Sequence, residues 1–342
     1  MKTIYLLTDY LNRFGSKHNA DIYNDGMNKE ILSKNFLKQG YNAKFIPLNK
    51  IDFRENNWKD AIVLYTSQED VGYYYKSFIE DIIYGLELAG VKIIPSFKYL
   101  KANNNKVFME ILRDLTPLKE IKNLVAQHYG TLEEAMLDAE KFDYPVVIKG
   151  AEGAMSKSVA LAYNKQELKQ KIRNLAATRN LKEEAREYIR SKKYEGYQMQ
   201  SKYRRKFIIQ NFLPGLDNDW KVLVFGNKYY ILERNVIKND FRASGSGEKY
   251  LFGSASSVPN GIFEMAKKIK DGLDLPHVSL DFAQYNNELC LLEFQALYFG
   301  SSTEYRSDFF YHFDGNNFIK TENNLSLEDV YVESIGLYLG KT

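Results

Sequence analysis

Apolar positions open the chain as a short run, Ile4-Tyr5-Leu6-Leu7, that turns polar at Thr8-Asp9, the pattern of a strand leaving a core. The spacing then predicts a helix over 25–39, with Gly40 as its stop. Strands are predicted over 43–46 and 61–65, a helix over 75–89 that ends at Gly90, and a strand over 91–94 ahead of Pro95. Strands alternating with helices predict a small parallel α/β domain in the first hundred residues. The carboxyl ends of such strands are the usual binding edge. Here they carry Thr8-Asp9-Tyr10 and Thr66-Ser67-Gln68-Glu69.

The pattern changes after Asn103. A helix over 105–115 leads through Thr116-Pro117 to the apolar run Tyr144-Pro145-Val146-Val147-Ile148-Lys149. A loop of small residues follows, Gly150-Ala151-Glu152-Gly153-Ala154-Met155-Ser156-Lys157, then a strand over 158–162 and a helix opening at Asn164. Residues 174–206 are strongly basic, with Arg179, Arg186, Arg190, Lys192, Lys193, Arg204, Arg205 and Lys206. Glu183, Glu184, Glu187 and Glu195 are interspersed, which favours a solvated helix over a basic patch for an acidic partner. The last third reads as an antiparallel α+β unit, with strands over 207–211, 220–225, 229–234, 278–284 and 289–295 and a helix over 260–272. Gly226-Asn227 and Asn286-Asn287 are hairpin turns in this reading. An amphipathic stretch over 327–339 either caps the core or meets another subunit.

With 342 residues the chain is long enough for two or three domains. Its 47 basic and 44 acidic side chains nearly balance, so charge alone does not imply nucleic acid. The single cysteine, Cys290, lies in an apolar run and cannot form an internal disulfide. The N-terminal apolar run is too short for a signal peptide, and no stretch reaches membrane-spanning length, so a cytoplasmic protein is expected. His18, His128, His277 and His312 show no metal-ligand spacing.

Chemistry enters through charged residues placed against this pattern. Lys149 ends an apolar strand just before the flexible turn, where a lysine can project into a cleft while the turn folds over phosphates. Lys106, on the preceding helix, supplies a second cation. Asp281 interrupts one apolar strand and Glu293 another. With Asn286-Asn287 as the turn between them, the two carboxylates lie nearly opposite each other. Such a pair repels unless a cation lies between, and Mg²⁺ with substrate phosphates is the natural occupant. Phosphate-binding cations first and metal-binding carboxylates last is the order of an ATP-dependent enzyme.

With these residues and the segment Ile208-Ile209-Gln210-Asn211-Phe212-Leu213-Pro214-Gly215, the chain resembles the ATP-grasp superfamily over 103–305. It is most similar there to the carboxylate–amine ligases that add amino acids to proteins or small acids. That similarity rests on Asp219-Trp220-Lys221-Val222-Leu223-Val224, Glu233-Arg234 and Asn239-Asp240-Phe241-Arg242-Ala243. The resemblance implies an α/β and α+β multidomain protein: an N-terminal parallel α/β (pre-ATP-grasp) domain over 1–100, a central lobe over 101–206, a C-terminal lobe with the metal site over 207–315, and a tail over 316–342. It implies ATP and Mg²⁺, or Mn²⁺ in its place. Lys106, Lys149 and the loop residues Gly153, Ala154 and Ser156 would meet the phosphates. Gln210, Asn211, Phe212 and Leu213 would hold adenine. Asp281, Glu293 and Gln295 would ligate the metal, and Arg234 and Arg242 would stabilise charge on the transferred phosphoryl group.

The sequence departs from the family at Gln295, commonly Asn, at Lys221, often Arg, at Ser279, an arginine in some relatives, and at Ala154 and Ser156, where glycine is frequent. The expected reaction joins a carboxylate to an amine through an acyl phosphate, releasing ADP and phosphate. The substrate would be a small molecule, an amino acid or a sugar acid, with a peptide or polymer as a further acceptor class. Its acceptor is expected at the N-terminal loops, with Arg13, His18 and Asp25, and at 300–306. A homodimer is compatible with the resemblance, and no nucleic-acid partner or membrane span is expected. A small-molecule kinase on the same fold and a non-catalytic ATP-binding regulatory protein are the alternatives.

Overall fold

A computed structural model describes residues 1–15, 26–54, 58, 60–153, 158–236 and 250–340. His18, Asp25, Ala154, Ser156 and Arg242 lie outside the described residues. Two compact units divide the chain: Met1–Asn103 with Thr116–Ile121 and Leu216–Thr342, and Asn104–Leu115 with Lys122–Gly215.

The first unit opens with β1 (Lys2–Thr8), α1 (Lys29–Lys38), β2 (Tyr41–Pro47), β3 (Ile62–Leu64), α2 (Tyr74–Leu88), β4 (Lys92–Ile94) and α3 (Phe97–Ala102). The strands form a parallel sheet in the order β2-β1-β3-β4. The first helix begins later than its periodicity suggests. Asn28 caps it by accepting from the backbone N–H of Glu30 and Ile31, which fixes Lys29 as the first helical residue.

The second unit holds α4 (Lys106–Leu115), β5 (Ala126–Tyr129), α5 (Leu132–Leu137), β6 (Val146–Gly150), β7 (Val159–Ala162), α6 (Lys165–Leu175), α7 (Leu181–Lys193) and β8 (Phe207–Asn211). Its sheet is antiparallel, in the order β5-β8-β6-β7. Leu132 and Ala135 of α5 and Leu168 and Ile172 of α6 bury against Ile148, Phe207 and Ile209. The basic segment contributes α7, of which no residue is buried, as a solvated helix requires.

The chain then completes the first unit with β9 (Asn218–Phe225), β10 (Lys228–Asn235), β11 (Tyr250–Phe252), α8 (Ile262–Gly272), β12 (His277–Tyr285), β13 (Glu288–Gln295), α9 (Ser302–Tyr305), β14 (Phe309–Phe313), β15 (Phe318–Glu322) and α10 (Leu327–Leu339). Six of these strands run β13-β12-β9-β10-β14-β15, and β11 pairs with β10. Asn286 and Asn287 both take left-handed backbone angles, so the β12–β13 hairpin forms as its turn chemistry predicts. The stretch over 327–339 proves to be a core helix. Val330, Val332 and Ile335 of α10 pack with Ile4, Leu6 and Phe36 of the parallel sheet's layer and with Leu223 and Tyr230 of the antiparallel sheet. Asp329 Oδ1 accepts from Asn35 Nδ2 at 2.7 Å, tying α10 to α1. No helix among the described residues is long and apolar enough to cross a membrane.

The β9–β10 turn needs its glycine. Gly226 has φ of +60°, and a Cβ there would sit 2.8 Å from Leu337 Cδ1 of α10. Gly226→Ala is therefore expected to destabilise the protein by about 1–2 kcal/mol, read from the urea midpoint, because strain and overlap add. An unchanged midpoint would show that the hairpin does not bear on α10.

Candidate active site

In the second unit, Lys106 is the first residue of α4, and its buried ammonium donates to the Gly153 carbonyl at 3.2 Å. Its backbone N–H donates to Ala151 O at 2.9 Å, so both ends of the residue hold the small-residue loop. Ala151 N in turn donates to Lys206 O at 3.0 Å. Gly153 has φ of +116°, and a Cβ there would lie 2.9 Å from Ser158 Oγ, so glycine is required where the loop turns. Lys149 sits on β6, one residue before the strand's end. On α4, Glu110 pairs with Arg113 at 2.8 Å, both buried. Burial raises the Glu110 carboxyl above its ordinary range, opposed by the charges of Arg113 and Lys149. Lys106 and Lys149 thus bring two cations to the ends of the loop's flanking elements, while Arg113 is buried against Glu110.

The adenine candidates lie at the end of β8 in the same sheet. Gln210 is only 3% exposed, and its Nε2 has no hydrogen-bond partner. An unpaired buried donor is costly unless a ligand or water accepts from it. Asn211 is exposed, and Phe212 and Leu213 are half-buried.

In the first unit the register lines up four strands. Glu293 lies opposite Asp281, Asp281 opposite Lys221, and Asp219 opposite Arg234. An irregularity in pairing falls between Asp281 and Phe282, at the point where a bulge re-aims side chains. The carboxylate pair is therefore present, but Asp281 already has two cations. Lys221 Nζ is 2.6 Å from its Oδ1 and an Arg234 terminal nitrogen is 3.1 Å from its Oδ2. Lys221 also donates to Ser279 Oγ at 2.9 Å, and Arg234 Nε donates to Asp219. Arg234, expected to face a phosphoryl group, is 5% exposed and bridges Asp219 and Asp281.

Burial raises both carboxyls of this network. At Asp281 the charges of Arg234 and Lys221 outweigh it and hold the group down to about 2. At Asp219 burial prevails over Arg234, and the carboxyl is pushed up. Gln295 Nε2 approaches Glu293 Oε1 at 3.4 Å, a long contact that leaves the amide oxygen as a further donor atom. Among the described residues, no group of three or more His, Cys, Asp or Glu could hold a metal. Two carboxylates and an amide form an all-oxygen set. It suits Mg²⁺ completed by phosphates and water better than an all-protein cage.

Sequence reasoning gave Asp219 no role and did not pair Lys221 with Asp281. Their spacing at i and i+2 on a strand places them on one face, the only signal that could have found them.

The N-terminal loops gather around Asp9. Asp9 is buried and accepts from Leu11 N, Arg13 N, Arg13 Nε and Gln68 Nε2 at 2.8–3.0 Å. Tyr75 packs edge-on to Tyr10 with ring centroids 4.9 Å apart, whereas Tyr74 is exposed. In the segment over 300–306, where the acceptor is expected, Ser301, Thr303 and Glu304 are buried. Burial holds His277 neutral, down to about 3, between Phe225 and Tyr331, which makes it structural.

No family profile and no curated sequence matches this chain. Solved structures do. A RimK domain protein of the ATP-grasp type from Sphaerobacter thermophilus superposes with a TM-score of 0.51 at 12% identity, covering 98% of this chain and 99% of that one. A D-alanine–D-alanine ligase from Bacillus anthracis gives 0.50 at 14% identity, covering 99% and 97%. The macrocyclase MdnC from Microcystis aeruginosa, solved with its precursor peptide, gives 0.52 at 13% identity, covering 97% and 98%. At such identities the likeness speaks for architecture, and it extends over nearly the full length of each chain. The chain has the ATP-grasp fold.

Proposed function

We propose that this protein is an ATP-dependent carboxylate–amine ligase. The observation that carries the reading is the placement of Asp281 directly across from Glu293 on neighbouring strands, with oxygen donors only, in a chain of this fold. Lys106, Lys149 and the loop around Gly153 bind the phosphates, and Gln210 with Asn211, Phe212 and Leu213 receives the adenine. Asp281, Glu293 and Gln295 hold Mg²⁺, which supplies charge neutralisation on the phosphates when bound. A substrate carboxylate oxygen attacks the γ-phosphorus, and the bond to ADP breaks with its electron pair leaving on ADP. The amine then attacks the acyl carbon, phosphate departs with the C–O electron pair, and the amine loses a proton. Binding and orientation do most of this work, so no nucleophilic side chain is required. Arg234 and Lys221 position Asp281. Arg242 is assigned to the transferred phosphoryl group on the resemblance of its motif.

A non-catalytic nucleotide-binding protein is the second reading, favoured by the two side-chain cations that already occupy Asp281. One experiment separates the readings: ADP and phosphate release with Mg·ATP, or Mn·ATP, across paired panels of amino acids, sugar acids, other carboxylic acids and peptides, with products weighed. ADP formation that needs both an acid and an amine, with a product of their summed mass less water, is the expected result. A phosphorylated acceptor would reassign the protein as a kinase. Tight nucleotide binding with no turnover on any pair would support the second reading.

A further inference from the structure

The basic segment contains a helix that has no core to serve. None of the 13 residues of α7 is buried. Its contacts with the rest of the unit are polar: Glu184 pairs with Lys202 at 2.8 Å, and Glu187 accepts from Tyr197 Oη at 2.6 Å and from Gln200 N at 3.1 Å. Glu184, Glu187 and Ser191 recur at helical spacing and make the attached face. A different face carries Leu181, Ala185, Tyr188 and Ile189, again at helical spacing, and it points to solvent. Leu181 is 82% exposed, Tyr188 58% and Ile189 62%. Tyr194 and Met199 are exposed just beyond the helix.

Charge borders this apolar stripe. Residues 179–206 hold ten Lys and Arg against four Glu, so the segment is positive and the remainder of the chain is slightly negative. Glu183, Glu187 and Glu184 engage Arg186, Arg190 and Lys202. Lys182, Lys192 and Lys193 have no ion pair among the described residues. Lys192 lies 5.6 Å from the Tyr188 ring centre and Lys193 5.2 Å from that of Tyr194, so the cations stay beside the stripe.

We propose that the outer face of α7 is a docking surface for an acidic amphipathic polypeptide segment. An exposed apolar stripe with cations along its flank complements a segment with its own apolar stripe and flanking carboxylates. The net positive charge of the segment attracts the partner's carboxylates, and the apolar stripe, which a nucleic-acid backbone would leave uncovered, takes the partner's apolar face. Side chains that long and that apolar gain little by facing water, and covering Leu181, Tyr188 and Ile189 supplies the driving force. The surface does not depend on the reaction proposed above, and its test reads binding alone.

The test is fluorescence anisotropy on the full chain with a labelled synthetic peptide. Its leucines fall at three- and four-residue spacing and glutamates fill the other positions. A second peptide has the same composition with the spacing scrambled. The ordered peptide is expected to bind the native protein at least about tenfold more tightly than the scrambled one, and Tyr188→Glu with Ile189→Glu is expected to remove that difference. Lys192→Glu with Lys193→Glu should weaken both peptides and leave the preference, so it serves if the first variant melts early. Equal binding of the two peptides, or tighter binding of phosphatidylserine vesicles or a single-stranded oligonucleotide than of the ordered peptide, would overturn the proposal.

Discussion

Asparagine at position 281 is expected to lower ADP release by about two to three orders of magnitude, the scale on which one preorganised electrostatic group acts. The same change is expected to cost only about 1–3 kcal/mol of stability. The two effects separate because of what Asp281 leaves behind. Arg234 keeps Asp219 as its partner, and Lys221 keeps Ser279 and is partly exposed to water. Asp219→Asn should show the reverse weighting. Asp219 is buried and shares Arg234 with Asp281, so its loss removes half of the balance around a guanidinium that cannot lose its proton. That change is expected to cost about 3–5 kcal/mol, as breaking a buried pair does. Mn²⁺ titration beside urea melts of both variants checks the contrast. A loss of metal affinity confined to the Asp281 variant is expected. Equal metal affinity in both variants and the native protein would remove Asp281 from the metal site.

The contrast also marks what periodicity could reach. The β12–β13 pairing was legible because both asparagines of its turn favour left-handed angles, and a two-residue turn fixes the register of the strands it joins. Lys221 against Asp281 was not, because β9 and β12 are neighbours in space and not in sequence. Their register comes from tertiary packing of Val222, Val224, Val278 and Leu280, which hydrophobic alternation alone leaves free to slide. Lys106 was readable as a helix lysine, while its contact with Gly153, 47 residues on, needed the fold. The edge strand β15 escaped for a different reason. Phe318–Glu322 holds strand-favouring Phe, Ile and Thr, but its two apolar residues are adjacent and do not alternate with polar ones, so no buried face can be read from it. In α10 the hydrophobic pattern was clear, but a pattern does not say which surface covers it. Asn35 on α1 and the caps at Ser326 and Asp329 settle that in three dimensions.

Raising the pH from about 5 to 8 is expected to weaken the native protein by roughly 3–5 kcal/mol through Glu304 alone. This side chain is 1% exposed, and neither of its carboxyl oxygens has a hydrogen-bond partner. The Tyr230 hydroxyl, on the strand beneath it, is also buried without a partner. The acidic neighbours on α10 are already committed: Glu328 accepts from Asn28 N at 2.6 Å, and Asp329 caps its own helix. Burial first, then the charges of Glu328 and Asp329, push the Glu304 carboxyl up to about 8 from an ordinary 4.5. The folded state therefore keeps a proton that the unfolded chain releases. The stability this confers is complete below pH 4.5 and is lost as pH rises toward 8. Asp329 is shifted the other way, so its contribution is lost only in acid and does not overlap this window. Glu304→Gln stays neutral at every pH and should flatten the profile between pH 5 and 8, making the variant the more stable protein at the alkaline end. Urea midpoints of both proteins across that range provide the measurement. Parallel curves would mean that Glu304 ionises freely in the folded state, and that water reaches a carboxyl placed deep in the core shared by α9, β10 and α10.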